Sequence, residues 1–194
     1  MPHYFDRAPA APSRPGRVEL VLPDWTAHLA TDRGVFSASG IDAGTIELLK
    51  AAGPPPPAGS HLLDLGCGYG PIALTLAHRH PECTVCAVDV NERALELTRT
   101  NAAALGIANL VTGDPPDDVR FAQIWSNPPI RIGKAALHDL LATWLARLAP
   151  GGEARLVVQK HLGSDSLAEW LRSTGYLVER TGSRKGYRLL RVTR

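Results

Sequence analysis

The sequence predicts an α/β protein: a doubly wound, mostly parallel sheet preceded by a small N-terminal β-hairpin cap. Three observations carry this. From residue 61 onward, short apolar runs alternate with helical periodicities, the rhythm of parallel strands joined by right-handed helical crossovers. Leu62, Leu63 and Leu65 then run into glycines at alternate positions, Gly66, Gly68 and Gly70. That is a buried strand leading into a loop whose backbone can turn sharply and approach a ligand closely. After Ser173 the rhythm breaks, because two strand patterns follow with no helix between them. The sheet should therefore close with an antiparallel hairpin.

The elements follow in order. Residues 1–16 are proline-bearing and read as an extended arm. Arg17–Leu22 and Thr26–Thr31 alternate around Pro23-Asp24-Trp25, which predicts a hairpin. A helix over Thr45–Ala51 ends before Gly53, and Pro54–Pro57 forms a stiff linker in polyproline geometry. These features divide the chain into an arm and cap over 1–53, a linker over 54–60 and a main domain over 61–194. In that domain strands are expected at Leu62–Leu65, Val85–Val90, Leu110–Thr112, Phe121–Trp125 and Ala154–Gln159. Helices are expected at Pro71–His80, Glu92–Leu105, Lys134–Leu148 and Leu167–Ser173. Leu177–Arg180 and Tyr187–Val192 make the closing hairpin, joined through Thr181-Gly182-Ser183.

Composition narrows the class. A chain of 194 residues, 44% hydrophobic and 21% charged, is ordinarily globular and large enough for a proper core. No apolar run approaches the roughly 18–20 residues of a membrane span. The N-terminus, with Arg7, Arg14 and Arg17 among prolines, has no signal-peptide core. Three cysteines make no disulfide framework, so a reduced cytoplasm is expected. Cys83 and Cys86 have metal-like spacing but lie along a strand without a second pair, and no metal is expected. The net charge of +2 says little, whereas Arg180 to Arg194 holds six basic residues and no acidic one. That stretch suits a polyanionic partner, or else a solvated basic hairpin.

The chemistry gathers at strand ends, where ligands bind in doubly wound sheets. Asp64-Leu65-Gly66-Cys67-Gly68-Tyr69-Gly70 is the loop after the first central strand, and Pro71 can open the helix that follows. A dinucleotide fingerprint needs its third glycine at position 71, where Pro71 stands, which disfavours a pyrophosphate there. Asp89 ends the next strand, 25 positions after Asp64. Its carboxylate could take two hydroxyl hydrogen bonds, or cap the helix that starts at Asn91-Glu92. Asp114 ends a third strand, and Ser126-Asn127-Pro128-Pro129 ends a fourth.

This ordered set resembles the class I S-adenosylmethionine-dependent methyltransferases. The segments Gly34-Val35-Phe36-Ser37, Ile41-Asp42-Ala43-Gly44-Thr45, Asn127 through Lys134 and Lys185-Gly186-Tyr187-Arg188 narrow the likeness. Together they are similar to the small-domain group related to the bacterial ribosomal RNA guanine-N2 methyltransferase. The resemblance runs from about His3 to the C-terminus. It implies a Rossmann-like sheet of seven strands, S-adenosylmethionine as methyl donor, and a ribosomal RNA partner. It further implies that Asp64, Gly66, Gly68 and Gly70 cradle the donor, that Asp89 and neighbouring Val90 hold its ribose end, and that Asp114 meets the adenine amine. The likeness covers only the C-terminal half of the guanine-N2 enzyme, so the same RNA position is not implied.

Asn127, Pro128 and Pro129 are the catalytic candidates. An exocyclic amine on a nucleobase is a poor nucleophile, since its lone pair is delocalised into the ring. The Asn127 side-chain oxygen and the Pro128 carbonyl could accept both amine hydrogens and hold the nitrogen in line for methyl transfer. The two prolines stiffen the turn. No general base is needed, because the methylated nitrogen can lose its proton to water. Ile130 stands where wider amino-methyltransferases carry a stacking aromatic, which weighs against a DNA adenine or protein glutamine target. Phe36, Trp25 or Tyr69 could stack instead, and Arg131 and Lys134 could meet a phosphate. The expected protein is a cytoplasmic, monomeric RNA methyltransferase, acting by this resemblance on guanine N2 in ribosomal RNA. Its rivals are a methyltransferase of another amine and a non-catalytic RNA-binding protein on the same fold.

Overall fold

The structure, a computed structural model, describes residues 12–51 and 53–194; the N-terminal part of the arm falls outside them. The first hairpin pairs β1 (Gly16–Val21) with β2 (Thr26–Thr31) in antiparallel register, Val18 opposite Leu29 and Leu20 opposite Ala27. Helix α1 (Ala43–Lys50) begins at Asp42, whose carboxylate accepts the Thr45 N–H and caps the first turn. The main sheet then builds from β3 (His61–Leu65), α2 (Pro71–Arg79), β4 (Thr84–Val88), α3 (Glu92–Ala104), β5 (Leu110–Thr112) and β6 (Phe121–Ser126). It continues through α4 (Lys134–Leu145), β7 (Leu148–Gln159), α5 (Ser164–Ser173), β8 (Leu177–Arg184) and β9 (Tyr187–Thr193).

These strands form one seven-stranded sheet in the order β5-β4-β3-β6-β7-β9-β8, parallel except for β9. The chain reverses direction of winding between β3 and β6, so a crevice is expected beyond their carboxyl ends. Alternation across the sheet divides the core. Leu62 faces α1, α2, α3 and the cap, whereas Leu63 and Leu65 face α4 and α5. The cap shares the first of these cores through Val18, Leu20, Ala27 and Leu29. Polar contacts fasten it as well. The buried Asn101 side chain on α3 bonds the backbone N–H and C=O of Ala30 at 2.7 and 3.0 Å, and the Tyr69 carbonyl at 2.9 Å. Arg79 grips Asp24 through two bonds of 2.7 Å. The proline linker is tied down too, with Pro56 buried and the Pro54 carbonyl accepting from Gln123.

Several boundaries differ from the sequence reading; β4, for one, ends at Val88 rather than Val90, which leaves Asp89 and Val90 in the loop beyond it. Helix α4 stops at Leu145 rather than Leu148, because Leu148 enters β7 and pairs with Phe121. The strand then passes Gly152, where a Cβ would lie 2.8 Å from the Phe121 carbonyl, so only glycine fits this crowded stretch. The closing hairpin turns at Lys185-Gly186, both at positive φ (48° and 81°), as a tight two-residue turn. Gly182, expected in the turn, lies instead within β8 at a register shift.

Candidate active site

The site forms where the carboxyl ends of β3, β4 and β6 meet α1 of the cap. The Ser126 hydroxyl, fully buried, donates to the Leu65 carbonyl at 2.7 Å and locks the end of β6 beside the end of β3. Asn127 is thereby set next to the glycine loop. A cleft lined by Phe36, Asp42, Thr45, Gly66, Gly68 and Asn127 runs between them.

The loop itself is a sharp turn. Gly66 and Gly68 adopt φ of 77° and 58°, where a side chain would be strained, and both look onto open space. Gly70 shares the positive φ, at 94°, and a Cβ there would also meet the Thr98 side chain at 3.0 Å, so this glycine serves the packing of the loop on α3 as well. The Gly66 and Cys67 N–H groups both donate to the Val88 carbonyl, at 2.9 and 3.0 Å.

The three aspartates take distinct positions. Asp64 is fully buried, on the α2 side of β3, and its Oδ2 accepts the Ala73 N–H at 2.8 Å. Gly70, the helix N-cap, has no side chain to offer, so Asp64 supplies the cap from beneath. Its Oδ1 has no hydrogen-bond partner among the described residues. Burial, reinforced by the charge of Asp89, pushes its carboxyl up to about 8, against the pull of the Ala73 bond. Asp89 accepts the Gly68 N–H through Oδ2 and the Asn91 N–H through Oδ1, each at 2.9 Å. The cap of α3 is Asn91, not Asp89; Asp89 instead ties the glycine loop to the end of β4. Burial raises its carboxyl as well. Val90 is 58% exposed at the rim beside it, and Asp114 is exposed just past β5.

Asn127 makes two side-chain hydrogen bonds at the edge of the cleft. Its Nδ2 donates to Asp42 Oδ1 at 2.8 Å and to Thr45 Oγ1 at 3.1 Å. The Pro128 carbonyl already accepts the Ile130 N–H at 2.8 Å, so one of its two lone pairs is committed to the turn. Ile130 packs against the α4 and α5 core. Among the aromatic candidates, Phe36 is 42% exposed in the cleft, Tyr69 is buried, and Trp25 stacks on His78 at 4.5 Å. Asp42, Thr45 and Tyr187, which approach Asn127 or its partners, carried no assigned role in the sequence reading. The segments containing Asp42 and Tyr187 stood out there only as likenesses.

Comparison with known proteins matches residues 26–191 to the family described as "Methyltransferase small domain". The chain belongs to this family. A relative spanning nearly its full length, "Uncharacterized protein YbxB" of Bacillus subtilis, is 34% identical over 98% of this chain and 97% of its own. "Ribosomal RNA small subunit methyltransferase C" of Pseudomonas putida is 36% identical over 85% of this chain. This chain spans only 52% of that relative's length. Among solved structures, the T. thermophilus 16S rRNA N2 G1207 methyltransferase in complex with AdoMet and guanosine superposes with a TM-score of 0.77. It is 24% identical, over 96% of this chain and 52% of its own. The fold expected from the sequence is thus the family's fold, including the antiparallel closing hairpin.

The basic C-terminal stretch is partly spent on structure. Arg188 is buried and pairs with Asp165, Arg191 pairs with Glu153 and Glu179, and Lys185 reaches Glu47 at 3.2 Å. Arg180 and Arg184 are exposed. No helix among the described residues is long and apolar enough to cross a membrane, and none of their side chains cluster as a metal site.

Proposed function

We propose that the protein is an S-adenosylmethionine-dependent methyltransferase of ribosomal RNA, acting on the exocyclic N2 amine of a guanine. The relatives named for ribosomal RNA methylation support the substrate class. The residues fit the donor. Gly66 and Gly68 leave open space before a bare backbone, and Asp64 keeps an unpartnered buried carboxyl oxygen beneath the loop. Asp89, at the end of β4, has lone pairs left for ribose hydroxyls after its two backbone bonds. When bound, the donor supplies an electrophilic methyl group on a sulfonium sulfur, which keeps the bonding pair when the methyl leaves.

The chain's own work is to hold the amine. Asn127 Oδ1 and the free lone pair of the Pro128 carbonyl accept the two amine hydrogens and draw the nitrogen towards tetrahedral geometry. Fixed acceptors of this kind favour the transition state, where positive charge grows on that nitrogen. The proton then leaves to water. The observation that carries the reading is the Asn127 amide: its nitrogen is engaged by Asp42 and Thr45, and its oxygen is left for the cleft shared with Gly66 and Gly68.

The test is transfer of labelled methyl from S-adenosylmethionine to unmodified ribosomal RNA, DNA and protein pools in parallel. Digestion of the labelled RNA should yield N2-methylguanosine. Label confined to protein or to DNA would overturn the substrate, and label in another nucleoside would overturn the guanine assignment.

A further inference from the structure

A primary amide has nearly the same shape in its two orientations, which differ in whether oxygen or nitrogen faces a given neighbour. For Asn127 that difference decides the chemistry. Oxygen towards the cleft accepts an amine hydrogen, whereas nitrogen towards the cleft would present hydrogens to hydrogens. An ionised carboxylate can only accept, so a carboxylate on the far side of the amide admits one orientation alone.

Asp42 is that carboxylate. Its Oδ1 lies 2.8 Å from Asn127 Nδ2 and also accepts the Thr45 N–H at 3.1 Å, while its Oδ2 accepts the Tyr187 hydroxyl at 3.3 Å. Three separate elements therefore converge on one side chain: the start of α1, the turn after β6 and the start of β9. Gly44 allows the convergence, because a Cβ there would lie 2.6 Å from the Tyr187 ring and 2.9 Å from Asp42 Oδ1. Burial, and next the charge of Asp42, keep the Tyr187 phenol above its ordinary range, so it stays a donor. Thr45 Oγ1 alone could not enforce the orientation, since a hydroxyl can donate as readily as accept.

We propose that Asp42 is a positioning residue for methyl transfer, fixing the Asn127 amide so that its oxygen faces the target amine, with Tyr187 holding Asp42 in place. This rests on the assignment of Asn127 to the amine. The competing role is purely structural, since Asp42 also caps α1. Asp42→Asn separates the two. Asparagine caps a helix about as well as aspartate, but its own amide can donate and so tolerates a flipped Asn127.

The experiment compares wild type, Asp42→Asn, Asn127→Ala and the double variant. Single-turnover methyl transfer to unmodified small-subunit ribosomal RNA is measured with calorimetric S-adenosylhomocysteine affinity and melting temperature. Asp42→Asn should keep affinity and melting temperature yet lose about tenfold to a hundredfold in rate, the scale of one misplaced polar group. In the Asn127→Ala background the same change should cost almost nothing further, since coupled residues are not additive. In a 15N-labelled protein, the Asn127 side-chain amide protons should be protected from exchange, and Asp42→Asn should remove that protection. A wild-type rate or retained protection in Asp42→Asn would overturn the proposal, as would an undiminished effect in the Asn127→Ala background. A wild-type rate in Asn127→Ala would instead overturn the assignment of Asn127 on which it rests.

Discussion

Asp64→Asn should remove a large part of the pH dependence of stability. Asp64 is 0% exposed, one oxygen caps α2 through Ala73, and the other has no hydrogen-bond partner among the described residues. Burial, seconded by Asp89, raises its carboxyl to about 8 in the folded chain, against an ordinary value of about 3.9 when unfolded. Between those limits the folded chain keeps a proton that the unfolded chain has released. Rising pH therefore works against folding. The contribution is complete below about pH 4 and is lost towards pH 8, at up to about 1.4 kcal/mol per pH unit. Asparagine imitates the protonated carboxyl and does not titrate. Urea denaturation of both proteins from about pH 5 to about pH 8 should show the variant gaining on the wild type as pH rises. Titrating groups that do not interact with Asp64 cancel in the difference. Parallel stability curves would refute the burial argument and mean that Asp64 is ionised in the fold.

Asp89→Ala should weaken S-adenosylhomocysteine binding by about tenfold to a hundredfold, the value of one charged hydrogen bond. Because Asp89 also holds the Gly68 and Asn91 N–H groups, a lower melting temperature should accompany it; unchanged calorimetric affinity would remove Asp89 from the ribose site. Replacing Arg180 and Arg184 with glutamine should flatten the dependence of log RNA affinity on log salt by about 0.7–0.9 for each phosphate left without its arginine. A filter-binding salt series with unchanged slope would move the RNA interface away from the hairpin.

The βα rhythm and the glycine loop were legible because each depends on neighbours in the chain: Leu62, Leu63 and Leu65 on their run, Gly66 and Gly68 on their spacing. What escaped depends on distance. Leu137, Leu141, Leu145 and Leu148 keep helical spacing, and nothing local says that Leu148 will pair with Phe121. The turn at Lys185-Gly186 was hidden because Gly182 looked like the better breaker, yet it is accommodated inside β8 at a register shift. In the site, Asn127 and the aspartates stand at strand ends where the pattern put them. Asp42 lies 85 positions from Asn127 and Tyr187 lies 145 from Asp42, so no local pattern could join them. Asn101 escaped for the same reason, a polar residue in a helix whose partners are a strand and a loop elsewhere.

The strand order has a consequence for how the chain assembles during synthesis. β9 lies between β7 and β8, and among the described residues β8 pairs with no strand but β9. Until residues 187–193 have left the ribosome, β8 has nothing to pair with and the outer edge of β7 stands open. The five strands from β5 to β7 can pair earlier, each through a crossover already made. Of the seven strands, the one made after the others is thus the one that seals the sheet, carrying Leu189, Leu190 and Val192 into the core. It also brings Tyr187 to the cleft, so the arrangement around Asp42 is completed only when the sheet itself is finished.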